Sequence, residues 1–220
     1  MTLELHSDDP KDEAGISSFG SRILGRRNEG EITKAMETVE NVKSLKAEGQ
    51  FLYSESTDLF AEMKGPEYQA VFDKKTKGKP LLDIAANSDV APKIDFANRI
   101  GASACVVVGA YEGTFINQRH NDDLPVEAHE NVDLLRFLIT LPDNSCSVSI
   151  SRFHNYSNLS LQKLCVEIQR VVGQDHVVLG VGSKQLFDEL EKRMEQVDIR
   201  LKYTESPEKK VSSPFKIYKN

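Results

Sequence analysis

The chain has 220 residues, with 34 Asp and Glu against 28 Lys and Arg for a formal charge of -6, and 39% of it is hydrophobic. That length accommodates one large domain or two small ones, and the acidic balance argues against a broad surface for duplex nucleic acid, which needs a concentrated basic face. No apolar run reaches the length of a membrane span, and three widely spaced cysteines without a C-x-x-C pair read as reduced thiols, so the expected location is intracellular and cytoplasmic.

Residues 1–28 combine an acidic head with a Gly/Ser-rich piece and the basic cluster Arg22, Arg26 and Arg27, and are expected to form a flexible tail. From Glu31 to Glu48, Ile32, Ala35, Met36, Val39, Val42 and Leu45 recur at helical spacing, predicting a helix stopped by Gly49. G-Q-F-L-Y-S predicts a short strand, T-D-L-F-A-E-M-K a helix closed by Gly65-Pro66, and Y-Q-A-V-F-D a further strand. K-K-T-K-G-K-P reads as an exposed turn leading into the strand L-L-D-I-A.

The segment S-D-V-A-P-K-I-D-F-A-N-R-I-G-A-S-A-C-V-V-V-G is the most informative in the chain. Ser88 or Asp89 caps a helix, Pro92 occupies its first turn, and Gly101 ends it before an uninterrupted valine strand. A strand apolar on both faces is one covered on both faces, as in parallel α/β sheets. T-F-I-N-Q-R-H and P-V-E-A-H-E are strand candidates, and Asn131 is read as the cap of V-D-L-L-R-F-L-I.

From Ser145 the pattern restarts. C-S-V-S-I-S alternates as a half-buried strand, and Leu161 to Val172 form an amphipathic helix ending at Gly173. H-V-V-L-G-V is a second buried strand, Ser183 caps K-Q-L-F-D-E-L-E-K-R-M-E-Q, and Ile199, Leu201 and Tyr203 alternate in a last strand. The resulting expectation is an α/β fold with a mixed, largely parallel sheet and helices on both faces. It divides into a tail at 1–28, an α/β unit at 29–142, a second βαβαβ unit at 143–204 and a flexible tail at 205–220. Gly101 and Gly173 hold corresponding places in the two units, as either a duplication or two generic αβ units would leave them.

No strong catalytic signature appears. G-V-G-S-K at Gly180 to Lys184 lacks both the third glycine of a dinucleotide fingerprint and the Gly-Lys-hydroxyl order of a phosphate loop, and reads first as an ordinary strand-to-helix turn. Asp58, Glu62 and Lys64 imitate the carboxylate–lysine core of a metal-dependent nuclease, but their local period is helical where the motif requires a strand. The histidines have no metal-ligand spacing to one another, and neither a metal nor a cofactor is predicted.

The stretch from Gln50 to Leu138 resembles the anticodon-binding domain of class II aminoacyl-tRNA synthetases. The resemblance is carried by the helix–Gly–V-V-V-G segment and by I-N-Q-R-H-N-D-D-L-P-V-E-A-H-E-N-V-D-L-L-R-F-L. It implies a non-catalytic module for structured RNA or a protein partner, with Lys74, Lys75, Lys77, Lys79 and Arg119 on the binding face. A solvated charge run is the plainer account of those lysines. The alternatives are the nuclease, using Glu62 and Lys64, and a viral or phage accessory protein acting through homo-oligomers.

Overall fold

The computed structural model describes residues 5–7, 20–39, 76–84, 91–109, 124–130, 132–150, 158–180, 184–196 and 216–219. In chain order these hold β1 (Leu5–Ser7), α1 (Glu29–Glu37), β2 (Pro80–Ile84), α2 (Ala91–Arg99), β3 (Ala104–Val108) and β4 (Val126–Glu130). There follow α3 (Leu134–Thr140), β5 (Ser147–Ile150), α4 (Asn158–Val172), β6 (Val178–Gly180), α5 (Lys184–Glu191), β7 (Glu195–Gln196) and β8 (Lys216–Lys219). The strands join in one sheet of order β1-β4-β3-β2-β5-β6-β8-β7. Every pair from β1 to β6 is parallel, whereas β8 runs antiparallel to both β6 and β7. The expected mixed, largely parallel α/β sheet is what the chain forms.

The valine runs form the interior of this sheet, with β3 buried at all five positions. Registers divide the strands into two faces. Leu82 and Ile84 of β2, Val106 and Val108 of β3, and Val148 and Ile150 of β5 belong to the main core, with Ile32 of α1, Leu135 and Leu138 of α3, and Leu164 and Ile168 of α4. The opposite face presents Leu81, Asp83, Cys105, Val107, Ser147 and Ser149, and α2 packs on β3 with Ile94, Phe96, Ala97 and Ile100 buried. Helices on both faces follow from the connections. The β2–α2–β3 crossover steps towards β4, while the link through α3 carries the chain back past β3 and β2 to β5. Right-handed crossovers in opposite directions put their helices on opposite faces.

The first helix starts and ends before the span its spacing predicts: Asn28 caps α1 by accepting from the Gly30 N–H at 2.9 Å, and Thr38 closes it. Two glycine stops act as sequence reading expects. Gly101 and Gly173 terminate α2 and α4 in the left-handed region, with φ of 66° and 52°. At Gly173 an added Cβ would stand 2.5 Å from Asn144 Oδ1, so the turn needs glycine for space as well as for φ.

Other expectations are corrected. The cap of α3 is Asp133, whose carboxylate accepts from Leu135 N and Arg136 N. β5 is buried throughout, because Ser149 and Ser147 find partners inside the protein. The last predicted helix ends at Glu191, after which Glu195–Gln196 pair with β8. The predicted elements between Gln50 and Asp73, the T-F-I-N-Q-R-H strand and the strand around Ile199 to Tyr203 lie outside the described residues. Of the predicted tails, only Leu5–Ser7, 20–28 and Lys216–Lys219 are described. The sheet is continuous across residue 142, since β2 pairs with β3 on one side and β5 on the other.

Candidate functional site

Neighbouring strands β2 and β5 are followed by helices on opposite faces, so the boundary between them is the topological switch point of the sheet. In open α/β sheets this topological switch point is where ligands bind. The described rim consists of Asp83 and Ile84 on β2, Val108 and Gly109 at the end of β3, His129 and Glu130 on β4, and Ser149 and Ile150 on β5. Gly109 extends the ladder by donating its N–H to His129 O at 2.8 Å, which sets it alongside Glu130. Gly109 is buried there, next to the Glu130 backbone.

On the α2 face of the sheet, Asp83 and Ser149 belong to a buried polar cluster. Ser149 Oγ donates to Asp83 Oδ2 at 2.6 Å, tying β5 to β2, and Lys93 Nζ of α2 stands 3.8 Å from Asp83 Oδ1. The Asp83 side chain is fully buried and that of Lys93 is 5% exposed, so both charges are held away from bulk water. One carboxylate thereby links β2, β5 and α2. Cys105 lies close by on β3. Burial, with Asp83 adding to it and Lys93 opposing, pushes its thiol far above the usual range.

The other face carries a second cluster. Glu127 of β4 accepts from Ser21 Oγ at 3.0 Å, Arg22 N at 3.2 Å and Ile23 N at 3.0 Å, and its Oε1 lies 2.5 Å from His129 Nε2. An ionised carboxylate only accepts, so Nε2 carries the proton of that last bond. Burial opposes ionisation of Glu127, but the bonds from His129, Ile23 and Ser21 outweigh it and hold the carboxyl at about 2. The arrangement fastens the 21–25 turn onto the sheet. Ser21 Oγ and the imidazole both bond to Glu127, so no serine–histidine relay is formed.

The sequence candidates fall elsewhere. Lys77 is exposed and Lys79 half-buried in the turn before β2, at the amino ends of the strands and opposite the rim. Lys79 Nζ bonds to Asp175 O, and Gly78 N donates to Gly101 O at 2.7 Å, packing the turn on its neighbours. Asp58, Glu62, Lys64, Lys74, Lys75 and Arg119 lie outside the described residues. Among the described residues no three His, Cys, Asp or Glu side chains gather as metal ligands, and no helix is long and apolar enough to cross a membrane.

The residues missed in the sequence are Asp83, Lys93 and Glu130. An acid inside the apolar run L-L-D-I-A was the available signal for Asp83, because an unpartnered carboxylate is too costly there.

No protein-family profile matches the chain, and no curated protein matches its sequence. Solved structures do resemble it in fold. The N-methyltransferase NodS from Bradyrhizobium japonicum WM9 is 6% identical and aligns over 77% of this chain and 99% of its own, with a TM-score of 0.47. The S-adenosylmethionine-dependent O-methyltransferase TM0748 from Thermotoga maritima is 10% identical over 84% of this chain and 71% of its own, at a TM-score of 0.42. A methyltransferase solved with the Haloferax volcanii Trm112 activator is 8% identical over 77% and 99%, at 0.44. The chain spans 46% and 58% of two hemolysin structures, from Streptococcus thermophilus and Lactococcus lactis, that it also matches.

These neighbours correct the reading of Gln50 to Leu138 as an anticodon-binding domain: they are methyltransferase and hemolysin structures. The sheet gives the physical reason, because β2, inside the matched stretch, takes one of its two partners from β5, beyond it. The function read from the sequence, a non-catalytic RNA- or protein-binding module with a nuclease using Glu62 and Lys64 or an oligomeric accessory protein as alternatives, is corrected by the same neighbours, among which none of these is found.

Proposed function

We propose that the chain is a methyltransferase whose crevice at the carboxyl ends of β2, β3, β4 and β5 takes S-adenosylmethionine, the cofactor named for the Thermotoga maritima protein. The observation that carries this reading is the reversal of strand order between β2 and β5 within the parallel part of the sheet.

The residues present fit such a cofactor better than a dinucleotide. The chain after β2 reads Ala85-Ala86-Asn87-Ser88-Asp89-Val90, with none of the glycines that let backbone approach a pyrophosphate. S-adenosylmethionine has no phosphate and makes no such demand. Glu130, a buried carboxylate beside Gly109, is the described group suited to accept hydrogen bonds from a nucleoside. When bound, the cofactor supplies an electrophilic methyl group; the chain's part is to bind and orient it and to limit water at the crevice floor.

Isothermal titration with S-adenosylmethionine, S-adenosylhomocysteine and NAD tests the reading. Binding of the first two in the micromolar range without NAD binding is expected, and Glu130→Gln should weaken both about tenfold, as loss of a charged hydrogen bond does. Absence of binding by either adenosyl compound at millimolar concentration refutes it. With binding in hand, transfer of a radiolabelled methyl group to candidate acceptors identifies the substrate.

A further inference from the structure

We draw no further inference here: the strongest candidate, the buried Ser21–Glu127–His129 side-chain cluster on the α3 face of β4, fastens the 21–25 turn to the sheet as already described, and nothing among the described residues places a ligand or partner on it.

Discussion

Replacing Glu127 with alanine should loosen the 21–25 turn from the sheet, and the size of the effect follows from the bonds that converge on the carboxylate. Three come from Ser21, Arg22 and Ile23, and the fourth from His129. A carboxyl held at about 2 against a reference value of 4.5 corresponds to roughly 3 kcal/mol of native-state stabilisation at neutral pH. The folded value lies below the unfolded one, so the unfolded chain binds the extra proton. The contribution is then fully present above about pH 4.5 and disappears as pH falls towards about 2.

Urea unfolding of the wild type and Glu127→Ala, followed by far-UV circular dichroism across that range, measures this directly. Glu127→Ala should be about 3 kcal/mol less stable at neutral pH, and the gap should narrow steadily below about pH 4.5. Glu127→Gln keeps an acceptor but not the charge, and should lie between the two, at a cost of about 1–2 kcal/mol. A gap below about 0.5 kcal/mol at neutral pH, or one independent of pH, would refute the assignment of the carboxylate as the fastening group.

Arg170 bonds to Leu138 O, Leu141 O, Asp143 and Glu167, satisfying the end of α3 from α4, so Arg170→Ala should cost about 2–4 kcal/mol in urea unfolding and Arg170→Lys about half that. A cost under about 0.5 kcal/mol for Arg170→Ala would contradict this. Gly173→Ala combines a φ of 52° with a 2.5 Å approach to Asn144 Oδ1 and should lower stability by about 1–3 kcal/mol, seen as a lower thermal midpoint. Burial pushes the thiols of Cys146 and Cys165 up to about 12 and that of Cys105 higher still. A thiol-specific disulfide reagent should thus label none of the three in the folded protein and all three in denaturant; fast labelling of the folded protein would show the core to be open. Lys77→Glu with Lys79→Glu should leave S-adenosylmethionine affinity within about twofold, because that turn lies at the far end of the strands.

Much of the fold was legible because its strongest signals are local. The runs L-L-D-I, A-C-V-V-V and V-V-L-G became β2, β3 and β6, and Gly101 and Gly173 ended the helices as their positions required. The period-two pattern misled at C-S-V-S-I-S, where alternating serines suggest a face in water, and V-E-A-H-E, a strand as expected, is polar yet buried as well. Both strands are interior, because their polar groups have protein partners: Glu127 takes the 21–25 turn, and Ser149 takes Asp83. Those partners are 106 and 66 residues away in the chain, so no window along the sequence reveals them. The switch point was hidden for the same reason. Its strands can be located in sequence, but that β5 lies beside β2 depends on how the crossovers pack.

The insertion of β8 between β6 and β7 has a consequence for how the molecule is made. Residues 178–180 and 195–196 leave the ribosome before 216–219, yet neither β6 nor β7 bonds to the other; each is joined through the later strand. During synthesis the outer side of β6 therefore stays bare, an adhesive edge that shielding by a nascent-chain chaperone would protect. The β6–β7 end of the sheet is thus completed only through a segment made after both.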